Sequence, residues 1–289
     1  MFDATSKRRA GSRFGRSSAR QALLIASLIL LVLLTLVPIL FMFYSSLKSN
    51  GQILRSFWSL PAPPHWENYE NAFTSLWRYI VNTVLYAAGT GTLVIALSSV
   101  SGYLFAKKTF PGKEFLFLLL LAMMMVPGVL TLIPAYVWFD SLGLTNTPLA
   151  IIIGHAAGGQ IFGTFLCRTS MEGVPSSLFE AARMDGAKEW VVFWRIVLPL
   201  SVPILATIFI MQAVGTYNDY VWPLLTISDN SMQMIGVGLT QFTKQFGVTI
   251  TDKGLQAAGY TLSSVPLIIV FAFGMKYYIQ GMAQGAIKM

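Results

Sequence analysis

Charge is what this sequence has least of. Asp, Glu, Lys and Arg together make up 11% of 289 residues while 55% are hydrophobic; soluble domains carry about 25% charged residues. Such a chain does not fold around one large soluble core, and it reads as a polytopic membrane protein. Cysteine is almost absent. The single Cys167 excludes an intrachain disulfide and any cysteine-based metal cluster, and beside Arg168 at the inner end of a span its thiol reads as inert packing. Catalytic constellations are missing as well: no H-E-x-x-H, C-x-x-C or G-x-S-x-G occurs, so a membrane-enzyme reading has no residues to stand on. The one Gly-Lys pair, Gly112-Lys113, is followed by Glu114, and Lys107 stands where a phosphate loop needs its first glycine. No acidic or basic side chain falls in the middle of a span, which argues against a self-contained carrier or channel. His155 is the sole titratable candidate there, and a lone neutral ring satisfied by a helix neighbour is a simpler reading than a proton relay.

What the chain does have is apolar runs. A helix needs about 20 apolar residues to cross the hydrocarbon core, and six stretches meet or approach that: 22–44, 79–106, 115–138, 149–167, 198–218 and 257–277. The first exceeds the roughly 7–15 residues of a secretory h-region, so it reads as an uncleaved span. The net charge of +8 does not signal nucleic acid, because the basic residues sit beside apolar runs rather than on one face. Their distribution sets the orientation. Fifteen Lys and Arg fall on the N-terminal side of the membrane, including Lys7, Arg8, Arg9, Arg13, Arg16 and Arg20, against five on the other, which puts both termini in the cytoplasm. The expected organisation is a basic N-terminus at 1–21, a six-helix transmembrane domain at 22–277 and a cytoplasmic tail at 278–289. The outer loops are 45–78 and 219–256, and a cytoplasmic loop spans 168–197. Prolines 38, 127, 134, 203 and 266 predict kinks. In the fourth span, Gly154/Gly158 and Gly159/Gly163 allow close helix approach.

The cytoplasmic loop carries the densest information. Pro175 and Ser176-Ser177 look like a helix start, and Ser177-x-x-Glu180 matches a capping box. Glu180 therefore has two compatible jobs, a local cap and a contact with a partner protein. Gly186, after Asp185, fits the left-handed residue that ends a helix. The chain restarts at Ala187 with Trp190, Phe193, Trp194 and Val197 as an apolar stripe, and leaves through Leu198-Pro199. Arg183 is either a partner contact or a headgroup-snorkelling side chain. At span depth, Asn82, His155, Gln160 and Gln212 are polar candidates for a water-filled route. Tyr217, Asn218, Asp219, Tyr220 and Trp222 form a cluster suited to sugar binding, or simply an aromatic belt with helix-end capping.

The loop resembles the EAA loop of ABC importer permeases, with Glu180-Ala181-Ala182, Asp185-Gly186 and Ile196-x-Leu198-Pro199 at that family's spacing. Over 40–289 the chain is similar to the shorter permease of carbohydrate uptake systems of the maltose and oligosaccharide type. That likeness rests on Arg78-Tyr79-x-x-Asn82-Thr83, Gly102-Tyr103-x-Phe105-Ala106, Pro127 through Pro134 with Tyr136, and Asn218-Asp219-Tyr220-x-Trp222-Pro223. The tail Gln280-Gly281-x-x-x-Gly285-Ala286-x-Lys288 belongs to it too, although Met289 stands where the family often has glycine. The resemblance implies an all-α type I importer permease in a bacterial-type cytoplasmic (inner) membrane. It implies a second permease, two ATPase subunits and an extracytoplasmic binding protein as partners, with carbohydrate as cargo. This chain would be non-catalytic and bind no cofactor, ATP and Mg belonging to the partner ATPase. Glu180, Ala181, Ala182, Arg183, Asp185, Gly186, Leu198 and Pro199 would couple to that ATPase, and Gln280, Gly281, Gly285 and Lys288 would reach its interface. A non-sugar solute such as glycerol phosphate is the runner-up cargo, and a self-contained carrier stands behind it.

Overall fold

The computed structural model describes residues 11–247 and 252–286, with side chains for 20–244 and 252–276. The side chains of Lys7, Arg8, Arg9, Arg13 and Arg16 therefore lie outside the described residues. Everything described is helix, turn or loop: α1 Gly11–Ser46, α2 Asn50–Arg55, α3 Glu67–Lys107, α4 Lys113–Met124, α5 Gly128–Ser141, α6 Pro148–Glu172, α7 Ser176–Met184, α8 Glu189–Val192, a π turn Phe193–Val197, α9 Leu198–Asn218, α10 Val221–Thr226, a 3-10 turn Asn230–Met232, α11 Ile235–Gly247 and α12 Lys253–Ala286. Among the described residues, five helices are long and apolar enough to cross a membrane, and a sixth span results if α4 and α5 are taken together.

Two expected spans need correction. The stretch 115–138 is not one helix: α4 and α5 meet at a 100° bend. Pro127 is the cause. It caps α5 in an extended conformation (φ −61°, ψ 125°), it has no N–H to offer α4, and it steers the residue before it away from helix. The fifth span begins not at 198 but at Glu189, and one helical run continues to Asn218. Pro199 has no N–H for the carbonyl one turn back. The run accommodates it by widening into the π turn, where Leu198 N–H bonds to the Phe193 carbonyl.

α3, α6 and α9 form the centre, with α12 across them and α1 against α12. Small residues permit this. A Cβ on Gly102 would lie 2.3 Å from the Cys167 Cβ, so α3 and α6 touch nearly backbone to backbone there. Gly163 takes Ser98, Gly159 takes Gln212 and Gly154 takes the Trp222 indole, whereas Gly158 faces open space. Three of the four glycines singled out in α6 thus mark close approaches. The most apolar window of α1 has no buried residue, which costs nothing in hydrocarbon, where lipid tails are as apolar as leucine. Among the described residues the two loops expected to lie outside are largely helical: the first holds α2 and the early turns of α3, and the second holds α10, the 3-10 turn and α11.

Candidate functional site

At one end of the bundle, α7 and α8 make a bent elbow. Its stop signal is complete: Gly186 is left-handed (φ 76°), its N–H bonds to the Arg183 carbonyl at 3.0 Å, and Ala187 N–H bonds to the Ala182 carbonyl at 2.9 Å. This is the paired pattern of a Schellman turn. The capping box is not formed, however. Helix α7 starts at Ser176 behind Pro175, no side chain caps it, and exposed Glu180 is left without that local job. A proline fits the N-terminus because the first-turn N–H groups need no helical partner.

One face of α7 is anchored and the other is bare. Phe179 is buried in one apolar cluster with Tyr103, Met171, Val192 and Phe193, and the Lys107 ammonium lies 5.2 Å from its ring centre. Glu180, Ala181, Arg183, Asp185 and Gly186 are exposed and Ala182 is half-buried; Met184 is 89% exposed. The apolar stripe after Gly186 divides. Phe193 and Val197 point inward, while Trp190 and Trp194 stay exposed and stack edge to face at 5.4 Å. The widened turn sets these side chains on different faces. Leu198 is half-buried and Pro199 exposed.

Sequence reasoning passed over the residues that hold the elbow to the bundle. Glu189 accepts from Lys108 Nζ at 2.6 Å, from Arg183 Nη2 at 3.0 Å and from the Tyr103 hydroxyl at 2.8 Å. Lys107 donates to the carbonyls of Glu172 and Val174. Arg168 is paired with Glu114 and Glu172 and stacks on Phe117. The signal was available. In a chain with so few acids, Glu189 opens the segment just after the turn and the Lys107-Lys108 pair closes α3.

At the far end most proposed pathway side chains are committed to the fold. Asn82 donates to the carbonyls of Ser231 and Gln233. The Tyr217 hydroxyl donates to the Ser263 carbonyl, Trp222 Nε1 to the Ala150 carbonyl and Asn218 to the Val214 carbonyl one turn back. Gln212 lies near Thr216 and the His155 carbonyl. Gln160 is half-buried, its carbonyl taking the Ser98 hydroxyl. Tyr220 remains 37% exposed. His155 is not the lone ring expected. Its Nε2 is 3.0 Å from Asp219 Oδ2 and its Nδ1 is 3.0 Å from the Ile151 carbonyl. Both ring nitrogens therefore lie within hydrogen-bonding distance of an oxygen. Burial pushes the Asp219 carboxyl up, but the hydrogen bond and charge of His155 and the N–H groups of Val221 and Trp222 outweigh it and hold it below the usual carboxylate range.

Helix α12 carries Gln280, Gly281 and Gly285 in its last turns, but their side chains and all of Lys288 lie outside the described residues. Among the described residues no three His, Cys, Asp or Glu gather as a metal site would require.

Comparison with known proteins agrees with this architecture. A probable ABC transporter permease, YurM of Bacillus subtilis, is 36% identical over 87% of this chain and 83% of its own. The diacetylchitobiose uptake system permease NgcG of Streptomyces coelicolor is 29% identical over 91% of this chain and 87% of its own. The crystal structure of a bacterial ABC transporter that imports the acidic polysaccharide alginate superposes with a TM-score of 0.79 at 24% identity, covering 91% of this chain and 98% of that one. Residues 94–284 match the family described as binding-protein-dependent transport system inner membrane component. A multi-pass helical chain with this match belongs to that family, the permeases of ABC transporters.

Proposed function

We propose that this chain is one permease of an ATP-driven importer that takes up an oligosaccharide or disaccharide delivered by an extracytoplasmic binding protein. The observation that carries the reading is the elbow: a short helix anchored by buried Phe179, closed by a left-handed glycine, and presenting Glu180, Arg183 and 89%-exposed Met184 outward. The ATPase is a separate partner chain, since Gly112-Lys113 fails as a phosphate loop. In this reading all six spans cross, with α4–α5 as one broken span, and both termini are cytoplasmic. Glu180, Ala181, Ala182, Arg183, Asp185 and Gly186 meet the ATPase, Leu198-Pro199 lies in the helical run Glu189–Asn218 that moves with it, and the tail from Gln280 reaches the same interface. The far-end elements α10 and α11 face the binding protein.

The carbohydrate reading is supported by the likeness to NgcG, a permease of a diacetylchitobiose uptake system, and by the partly exposed aromatic ring of Tyr220. An anionic cargo such as glycerol phosphate would require cations along the route. Arg168, at the elbow end of α6, is already committed to Glu114 and Glu172. The test is to tag the chain, purify it from native membranes in mild detergent and identify what accompanies it by mass spectrometry. An ATPase and a second permease are expected, and a chain recovered alone would overturn the reading.

A further inference from the structure

Glu189 lies outside the segments that the coupling reading uses, yet its carboxylate is the most heavily engaged acid of the elbow. Oε1 takes the Lys108 ammonium at 2.6 Å and the Arg183 guanidinium at 3.0 Å. Oε2 takes the Tyr103 hydroxyl at 2.8 Å. These donors come from two other elements: Arg183 from α7, Tyr103 and Lys108 from the inner end of α3 and its cap. One carboxylate thus joins α7, α8 and α3 at a point. Tyr103 is 5% exposed and packs on Phe193 at 5.4 Å, so the acceptor is tied to a rigid group on α3. Lys107 works in the opposite direction, holding the carbonyls of Glu172 and Val174 where α6 hands over to α7. Two consecutive lysines of α3 therefore straddle the elbow, one at its entrance and one at its exit.

The Arg183 arm of the cluster adds little stability. The side chains of Glu189 and Arg183 are 49% and 56% exposed, and exposed ion pairs contribute little to folding. What the cluster supplies is direction. α3 has 41 residues, about 60 Å at 1.5 Å per residue. Partway along it, 21 positions or about 30 Å from Tyr103, Asn82 holds the Ser231 and Gln233 carbonyls, and Thr83 Oγ1 accepts the Ile235 N–H at 2.7 Å. A displacement delivered to α7 has a covalent route through α8 into α9. Through Glu189 it has a second route, along α3 to the loops over the far end.

We propose that Glu189 is a positioning residue that passes elbow movement to α3, so that the transport stroke runs along α3 as well as α9. This rests on the importer reading above. The test uses the assembled transporter in proteoliposomes, with Glu189→Gln, Lys108→Glu and the exchange pair Lys108→Glu/Glu189→Lys. Glu189→Gln is expected to keep ATP hydrolysis stimulated by the loaded binding protein while cargo imported per ATP falls about fivefold, the low end of ordinary coupling between sites. The exchange pair is expected to recover at least part of that loss. A wild-type ratio in Glu189→Gln would overturn the proposal. A second measurement needs no ATPase: hydrogen–deuterium exchange of the purified chain. Glu189→Gln should speed exchange both in 176–184 and in the last turn of α3. Faster exchange in α7 alone would show a local tie and also overturn it. Absence of ATP-dependent uptake by the wild-type assembly would sink the importer reading, and the exchange result would still decide whether Glu189 links α7 to α3.

Discussion

Asp219 and His155 show how much one contact changes the meaning of a residue. As a lone histidine in an apolar span, His155 called for no more than a neighbouring carbonyl. Placed 3.0 Å from a carboxylate, it ties α6 to the turn between α9 and α10. The Asp219 carboxyl is held below its ordinary range, so its contribution to stability is complete above about pH 4, the unfolded value, and is lost as pH falls through the lowered folded value. Asp219→Asn is expected to lower stability by about 1.5–3 kcal/mol, the worth of a hydrogen bond to a charged group. It should also flatten the acid limb of the unfolding profile in detergent. Equal unfolding midpoints for wild type and variant at neutral pH would show that the pair is not formed. The neighbouring candidates behave differently. Asn82, Tyr217 and Trp222 have their polar atoms bonded to backbone carbonyls, so they shape the far end, and among Tyr217, Asn218, Asp219, Tyr220 and Trp222 it is Tyr220 whose side chain is left partly free.

Helix pairs are decided by their closest atoms. Where α3 crosses α6, Gly102 leaves room for Cys167 and nothing more. Gly102→Val would force two backbones apart, at a cost of about 1–3 kcal/mol for overpacking; a thermal-shift assay in detergent checks it. Gly102→Ala combined with Cys167→Gly should regain part of the loss, because the 2.3 Å contact is with the Cys167 Cβ. The turn at Gly186 is constrained differently. A Cβ there would meet nothing within 4 Å, but φ is 76°, where β-branched residues are strained. Gly186→Val is therefore expected to leave the spans inserted and to uncouple ATP hydrolysis from uptake. Wild-type coupled uptake in that variant would remove Gly186 from the coupling role.

On the scale of the whole molecule, the open prediction is orientation. The sequence puts the elbow end in the cytoplasm by its excess of Lys and Arg, and the chain offers a direct test. Cys167 is fully buried, so a cysteine placed elsewhere reports alone to a membrane-impermeant maleimide. In intact cells whose outer surface is accessible, Leu60→Cys at the far end (Leu60 is 79% exposed) should label. Met184→Cys on the elbow should label only after permeabilisation. The reverse pattern would invert the topology and separate the elbow from any cytoplasmic ATPase.

Composition and periodicity alone determined the class of this protein. Long apolar runs with few charges leave helices as the structure that satisfies every backbone group in lipid, and the Asp185-Gly186 stop followed by Leu198-Pro199 placed the elbow. Local chemistry was enough for these, since each depends on neighbours in the chain. Tertiary structure decided what depends on distant partners. It broke the third span at Pro127, ran the fifth span back to Glu189 through a π turn, and gave His155 a carboxylate 64 positions away. It also turned Glu189 and Lys108, 81 residues apart, into one ion pair. Sequence shows which charges a chain carries and which face of a helix is apolar. Which charge meets which is fixed only when α3, α6 and α9 pack against one another.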